Sequence, residues 1–276
     1  SLSRGRGLAG TTPYNLGWLK TQVFDRWRKG SRDIQVVQFK SIMNPAFPKD
    51  EYYYQKSILP TWKFEMFYNG NFSRPAGMIY EDFSDAHIIP AFQFPGNWPR
   101  TLGVDFGAVN TAKIWIAQDP ETKLRYIYRE ALDGDKTTSG HVASVKQYNE
   151  YHLKAYGGAK SETQQRADWK AAGLAVNEPL ISDVEAGISR VIGVLKTSNL
   201  YVFDTCTGII DEFGTYAREL DDSGQPTDKI KNKNTYHRLD ALRYATSSFD
   251  DARALTKQPK QDPKFKLDKG AWAQKY

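Results

Sequence analysis

Three strand-forming runs in close succession, followed by helices alternating with short strands, predict a mixed α/β fold of RNase H-like type. The first run, TLGVDF at 101–106, ends on a carboxylate, Asp105, with Gly107 just beyond it. Two further acids mark later elements: Glu162 where a strand gives way to a helix, and Asp240 on the last helix.

Residues 1–97 read differently from the rest of the chain, being aromatic-rich and broken by polar turns and prolines. GRGLAGTT at 5–12 spaces two glycines as a phosphate-binding loop does, but Thr11 stands where that loop needs its lysine, so no Walker A is present. Residues 14–29 set Leu16, Leu19, Val23 and Trp27 at three- and four-residue steps behind Pro13, the pattern of an amphipathic helix. IQVVQF at 34–39 reads as a strand. A helix is expected over 48–57, opened by Pro48, with 61–68 continuing it until Asn69-Gly70-Asn71 breaks the pattern. The segment PAFQFPGNWPR at 90–100 marks a domain boundary near residue 97.

Beyond the boundary, 101–106, 111–118 and 123–131 form an expected antiparallel meander joined by short polar turns. A helix over 138–153 follows, then a short strand at 155–159, a helix at 162–172 closed by Gly173, and a very short strand at 174–176. Val184, Ile188, Val191, Ile192 and Leu195 predict a helix over 183–197 with Asp183 as its N-cap. A strand at 199–203, a helix at 208–220, a polar loop at 221–233 and a last helix at 235–249 complete a domain spanning 98–250. Residues 251–276 are a separate tail.

A chain of 276 residues, 40% of them hydrophobic, fills one large core or two small ones. No run of about eighteen apolar residues occurs, so no transmembrane helix is expected. Ser1 opens the sequence without an initiator methionine or an apolar signal-peptide core, so the chain reads as a piece of something longer. Cys206 is the single cysteine, which excludes an internal disulfide and a cysteine zinc cluster and fits a reducing cytosol. The formal charge is +6, and the tail carries seven basic residues against three acids. That imbalance points to a polyanion partner or to a solvated basic end.

Taken singly, the acids have ordinary readings: a surface aspartate on an edge strand, a glutamate serving a helix dipole, an aspartate paired with arginine. Taken together, Asp105, Glu162 and Asp240 fall where this fold gathers side chains at one edge of its sheet. His237, one turn before Asp240, shares its helix face. Clustered carboxylates repel one another, and hard divalent cations need several oxygen ligands, so the arrangement makes sense chiefly as a metal site. Two such ions about 3.5–4 Å apart stabilise both the attacking and the leaving oxygen of a displacement at phosphorus. Asp204, at a strand end, is the reserve ligand. Asp183 and Asp211 read as structural, Lys160 as solvated, and Trp18, Trp115 and Trp169 as core.

The sequence resembles the C-terminal half of a tailed-phage terminase large subunit over nearly its whole length. The residues that carry the resemblance are AGTTPYNLGWL at 9–19, GVDFG at 103–107, GGAKSE at 157–162 and YHRLDALRYA at 236–245. It implies an RNase H-like nuclease fold, a mixed central sheet flanked by helices, preceded by a partial P-loop ATPase segment. Asp105, Glu162 and Asp240 are then the metal ligands of an endodeoxyribonuclease using two Mg2+ or Mn2+ ions, with His237 beside them. Double-stranded DNA, a portal protein and a small terminase subunit are the implied partners, the host cytoplasm the implied location, and ATP a cofactor of the full-length parent alone. Other readings of the same residues are a transposase or junction resolvase, an actin-like ATPase, and a DNA-binding adaptor with a silent site.

Overall fold

The structure is a computed structural model that describes residues 7–59, 61–74, 76–107, 109–150 and 153–249; the basic tail at 251–276 lies outside the described residues. At the N-terminal side a π-helical turn, Leu19–Phe24, runs into α1 (Asp25–Arg28). Two further helices follow, α2 (Lys49–Ile58) and α3 (Thr61–Asn69). Their contact is aromatic: Tyr52 meets Phe64 edge-on at 5.0 Å, Phe64 stacks on Tyr68 at 5.2 Å, and the Tyr52 hydroxyl donates to Asn69 at 2.6 Å. Gly70, at φ +65°, then turns the chain away as the sequence predicts.

The central sheet has seven strands: β1 (Ile88–Ile89), β2 (Arg100–Asp105), β3 (Asn110–Gln118), β4 (Arg125–Gly134), β5 (Leu153–Gly157), β6 (Val176–Asn177) and β7 (Leu200–Phe203). Their order is β1-β7-β4-β3-β2-β5-β6. The expected meander is its centre, with β2 antiparallel to β3 and β3 to β4. β5 adds in parallel beside β2 and β7 in parallel beside β4. As a result β2 and β5, neighbours in the sheet, end at the same edge.

Helices cover both faces, as a mixed sheet with parallel crossovers requires. On one face Leu102, Val104, Trp115 and Ala155 pack with α4 (Thr138–Lys146) and α5 (Thr163–Ala171). On the other, Ala112, Ile114, Ile116 and Val202 pack with α6 (Val184–Lys196), α7 (Thr207–Phe213) and α8 (His237–Thr246). Alternation along β2 therefore turns Gly103 and Asp105 toward α8. The segment before residue 97 joins this second core through Ile79 and Tyr80, and β1 pairs with β7.

Several elements differ from the expectation. IQVVQF at 34–39 forms no strand, with Val37 65% and Phe39 70% exposed. A strand needs a neighbour to pair with, and none of the described residues supplies one. The helix expected over 138–153 stops at Lys146; Asn149 takes the left-handed conformation at φ +47°, and Leu153 already belongs to β5. The helix expected over 208–220 ends before Gly214. Its remainder becomes β8 (Arg218–Leu220), paired antiparallel with β9 (Pro226–Ile230) where a loop was expected. The turn between them is set by Asp221, whose Oδ1 accepts from the amides of Ser223 and Gln225 at 2.9 Å. Trp115 and Trp169 are buried as expected, but Trp18 is 57% exposed.

One close approach fixes α8 on the sheet. A Cβ at Gly103 would stand 2.0 Å from the Ala241 carbonyl oxygen, so the helix backbone rests directly on the strand. Gly103→Ala must push the two apart and should cost about 1–3 kcal/mol, read as a lower urea midpoint. An unchanged midpoint would show that α8 does not lie this close to β2.

Candidate active site

Asp105 ends β2, opposite Ala112 of β3. The neighbouring strand β5 ends at Gly157, where a Cβ would stand 2.3 Å from the Val104 carbonyl oxygen, and the Gly158 amide donates to that same oxygen at 3.1 Å. Gly158 has φ +76°, which turns the chain sharply at this edge. The turn is held from inside by Arg166, a buried α5 residue whose guanidinium donates to the carbonyls of Gly157 (3.3 Å), Ala159 (2.8 Å) and Lys160 (3.2 Å). Glu162 follows at the N-cap position of α5, half-buried, with its Oε2 accepting from the Ala159 amide. Lys160 is exposed, in keeping with a solvated lysine.

The other half of the site comes from the first turn of α8. His237 Nδ1 lies 2.8 Å from Asp105 Oδ2, the two side chains being 26% and 14% exposed. Asp240, 15% exposed, meets the Lys233 ammonium through Oδ2 and Arg243 Nη2 at 3.3 Å through Oδ1. Burial, with the Asp240 charge as the next cause, pushes the Asp105 carboxyl up to about 6; the His237 contact works against that, and Glu162 adds a smaller push upward. Asp105 is thus in hydrogen-bond contact with His237, while Asp240 and Glu162 reach it only as charges. Among the described residues, however, no three His, Cys, Asp or Glu side chains stand close enough together to hold one metal ion. Lys233 and Arg243 balance Asp240 in this arrangement, and Glu162 is turned back on its own loop.

The remaining acids fall elsewhere. Asp183 caps α6, accepting from the Ala186 amide at 2.8 Å. Asp204 follows β7, three positions from β2 in the sheet, and accepts from the Ala91 amide at 3.3 Å. Asp211 lies on α7 against Gly17, and burial raises its pKa.

Sequence reasoning missed a carboxylate network beneath α8. Glu212, 8% exposed at the end of α7, accepts from the Leu239 amide at 3.0 Å and from Arg238 Nη1 at 3.1 Å. Burial pushes the Glu212 carboxyl up to about 7, against the pull of the Leu239 amide and Arg238. Arg238 Nε is 3.2 Å from Glu130 Oε2 on β4. The only sequence signal for Arg238 is its place between His237 and Asp240, and nothing in the sequence ties it to two glutamates this far away.

No protein-family profile and no curated protein matches the sequence. Solved structures do. The large terminase of a thermophilic bacteriophage, solved in complex with ADP, matches at 19% identity and TM-score 0.55 over 86% of this chain and 61% of that one. The P22 large terminase nuclease domain matches at 22% identity and TM-score 0.50, over 62% of this chain and 91% of that one. The large terminase nuclease of the thermophilic phage G20c matches at 15% identity and TM-score 0.50, over 63% of this chain and 100% of that one. The chain thus spans about three fifths of the ADP-bound terminase and nearly all of each isolated nuclease domain. Its fold is that of the large terminases, and the seven-stranded sheet with its flanking helices is the RNase H-like fold of their nuclease domains.

Proposed function

We propose that this chain is the C-terminal part of a terminase large subunit and acts as a divalent-metal-dependent endonuclease, cutting concatemeric double-stranded DNA during viral genome packaging. The observation that supports the reading is the contact of Asp105 with His237, on the same helix turn as Asp240, at the sheet edge where β5 leads into the loop carrying Glu162. In this reading residues 1–97 are the end of the packaging ATPase domain and 98–250 the nuclease domain. The basic tail at 251–276 adds contacts to the DNA backbone. ATP serves the full-length parent, a portal protein and a small terminase subunit are its partners, and the host cytoplasm is where it works. No helix among the described residues is long and apolar enough to cross a membrane.

The donor set fits Mg2+ or Mn2+. Carboxylate oxygens are hard ligands, and two neighbouring acids on buried positions gain most from a cation that cancels their repulsion. Asp105, Glu162 and Asp240 would hold the ions; to do so, Asp240 must exchange its Lys233 contact and Glu162 its contact with the Ala159 amide. Bound metal would supply charge stabilisation to the attacking and leaving oxygens of the phosphodiester. The chain's own contribution is orientation. His237, with Nδ1 2.8 Å from Asp105 Oδ2, fixes the orientation of the Asp105 carboxyl group. Arg166 holds the loop that carries Glu162, so the third acid arrives on a braced turn. No described feature reads base edges, so cutting should show little sequence preference.

Asp105→Asn should abolish Mn2+-dependent cleavage of plasmid DNA while leaving the fold intact by circular dichroism. Cleavage at the parental rate would remove Asp105 from the mechanism.

The same variant tests the electrostatics. Because the folded chain holds the Asp105 proton more tightly than the unfolded chain does, stability falls as pH rises from about 4 to about 6, and the whole penalty persists above that. Without metal, Asp105→Asn should therefore be more stable than the parent at pH 7.5 by up to about 3 kcal/mol, at about 1.4 kcal/mol for each tenfold change in proton affinity. It should show no gain at pH 4. Thermal unfolding at the two pH values measures this, and an equal gain at both would exclude the charge as its cause.

A further inference from the structure

We infer that Glu212 is a positioning residue for the candidate site, setting where His237 and Asp240 stand by gripping the first turn of α8. The inference rests on the nuclease reading above. The first amides of a helix have no partner within it, and Tyr236, at the N-cap of α8, supplies no side-chain acceptor. Glu212 supplies one from another helix. Its Oε2 takes the Leu239 amide at 3.0 Å, and its Oε1 takes the Arg238 amide at 3.4 Å and Arg238 Nη1 at 3.1 Å. A carboxylate is also the charge that a helix N-terminus favours.

The grip is anchored in the sheet. Glu130 of β4 accepts from the Gly208 and Ile209 amides, at 2.6 and 2.7 Å, and pairs with Arg238 Nε at 3.2 Å. Glu130 therefore holds the start of α7, Glu212 near the end of α7 holds the start of α8, and Arg238 is clamped between the two carboxylates. Gly208 makes room for this, since a Cβ there would stand 2.5 Å from the Arg238 guanidinium carbon. The residues gripped, Arg238 and Leu239, lie between His237 and Asp240. Slack in that turn therefore moves both functional side chains relative to Asp105, and displacements of about 1 Å at such sites are costly in rate.

The test compares the full chain with Glu212→Gln and Glu212→Ala. Three quantities are read: kcat and KM for plasmid cleavage in Mn2+, Mn2+ binding by calorimetry, and hydrogen exchange at the Leu239 amide. The expected result is a kcat roughly tenfold lower at unchanged KM for DNA, Mn2+ binding weakened roughly tenfold, and faster Leu239 exchange, with cooperative unfolding retained. If the alanine variant does not fold, the glutamine variant, which keeps the side-chain volume, decides. Parental kcat and Mn2+ affinity in Glu212→Gln would overturn the inference, as would a kcat that falls only in step with the folded fraction. A parent chain that neither binds Mn2+ nor cuts DNA would overturn the nuclease reading instead, and Leu239 exchange would still report whether Glu212 holds the turn.

Discussion

The contact of the Ala241 carbonyl with Gly103 is the constraint from which the site follows. Where a strand carries a side chain toward a helix, the two backbones are held apart by that side chain; here none intervenes. α8 is drawn onto β2 two residues before Asp105, and the turn preceding the contact delivers His237 to Asp105 at 2.8 Å. β5 repeats the device from the other side, with Gly157 against the Val104 carbonyl. Two glycines thus set the spacing of the elements that bear the acids, and ligands carried on packed elements are aimed more sharply than ligands on loops.

The site is electrostatically unfavourable on its own, and the chain offsets this locally. The Asp240 charge and burial both oppose ionisation of Asp105. Lys233 and Arg243 sit on Asp240 while His237 sits on Asp105, so each acid has its own cationic or hydrogen-bonding partner. A buried charge that loses its partner costs several kcal/mol. This explains why basic residues cluster on the same short stretch, 233–243, as the acid they neutralise. Away from the site the same logic recurs at Lys113, fully buried on β3, whose ammonium reaches Asp133 at 2.5 Å and Ser144 at 2.7 Å and so ties α4 to the sheet.

The meander, the helix spanning Val184 to Lys196 and the last helix were legible because each writes its face in a local period, 2 for strands and 3.6 for helices. The positions of Asp105 at a strand end and of His237 and Asp240 on the last helix were legible for the same reason, since element ends and helix faces can be read locally. Glu162 was placed correctly after a strand, although its carboxylate faces its own loop. What escaped is what depends on partners far along the chain: Glu212 reaches across 26 residues to Arg238, and Glu130 across 78 to Gly208. Neither glutamate differs in the sequence from a solvated one. The hairpin of β8 and β9 escaped because its strands are short and polar, and the helix expected over 138–153 was overextended because its polar end shows no strong stop before Asn149.

The unpaired stretch at 34–39 has a consequence unrelated to catalysis. It leaves Val37 and Phe39 exposed on a strand-forming sequence that has no strand partner among the described residues, a combination that favours association with other chains. In concentrated samples these exposed side chains would then add a route to self-association that does not depend on unfolding of the sheet. A charged substitution on the outward side of that stretch would be the natural remedy for clumping.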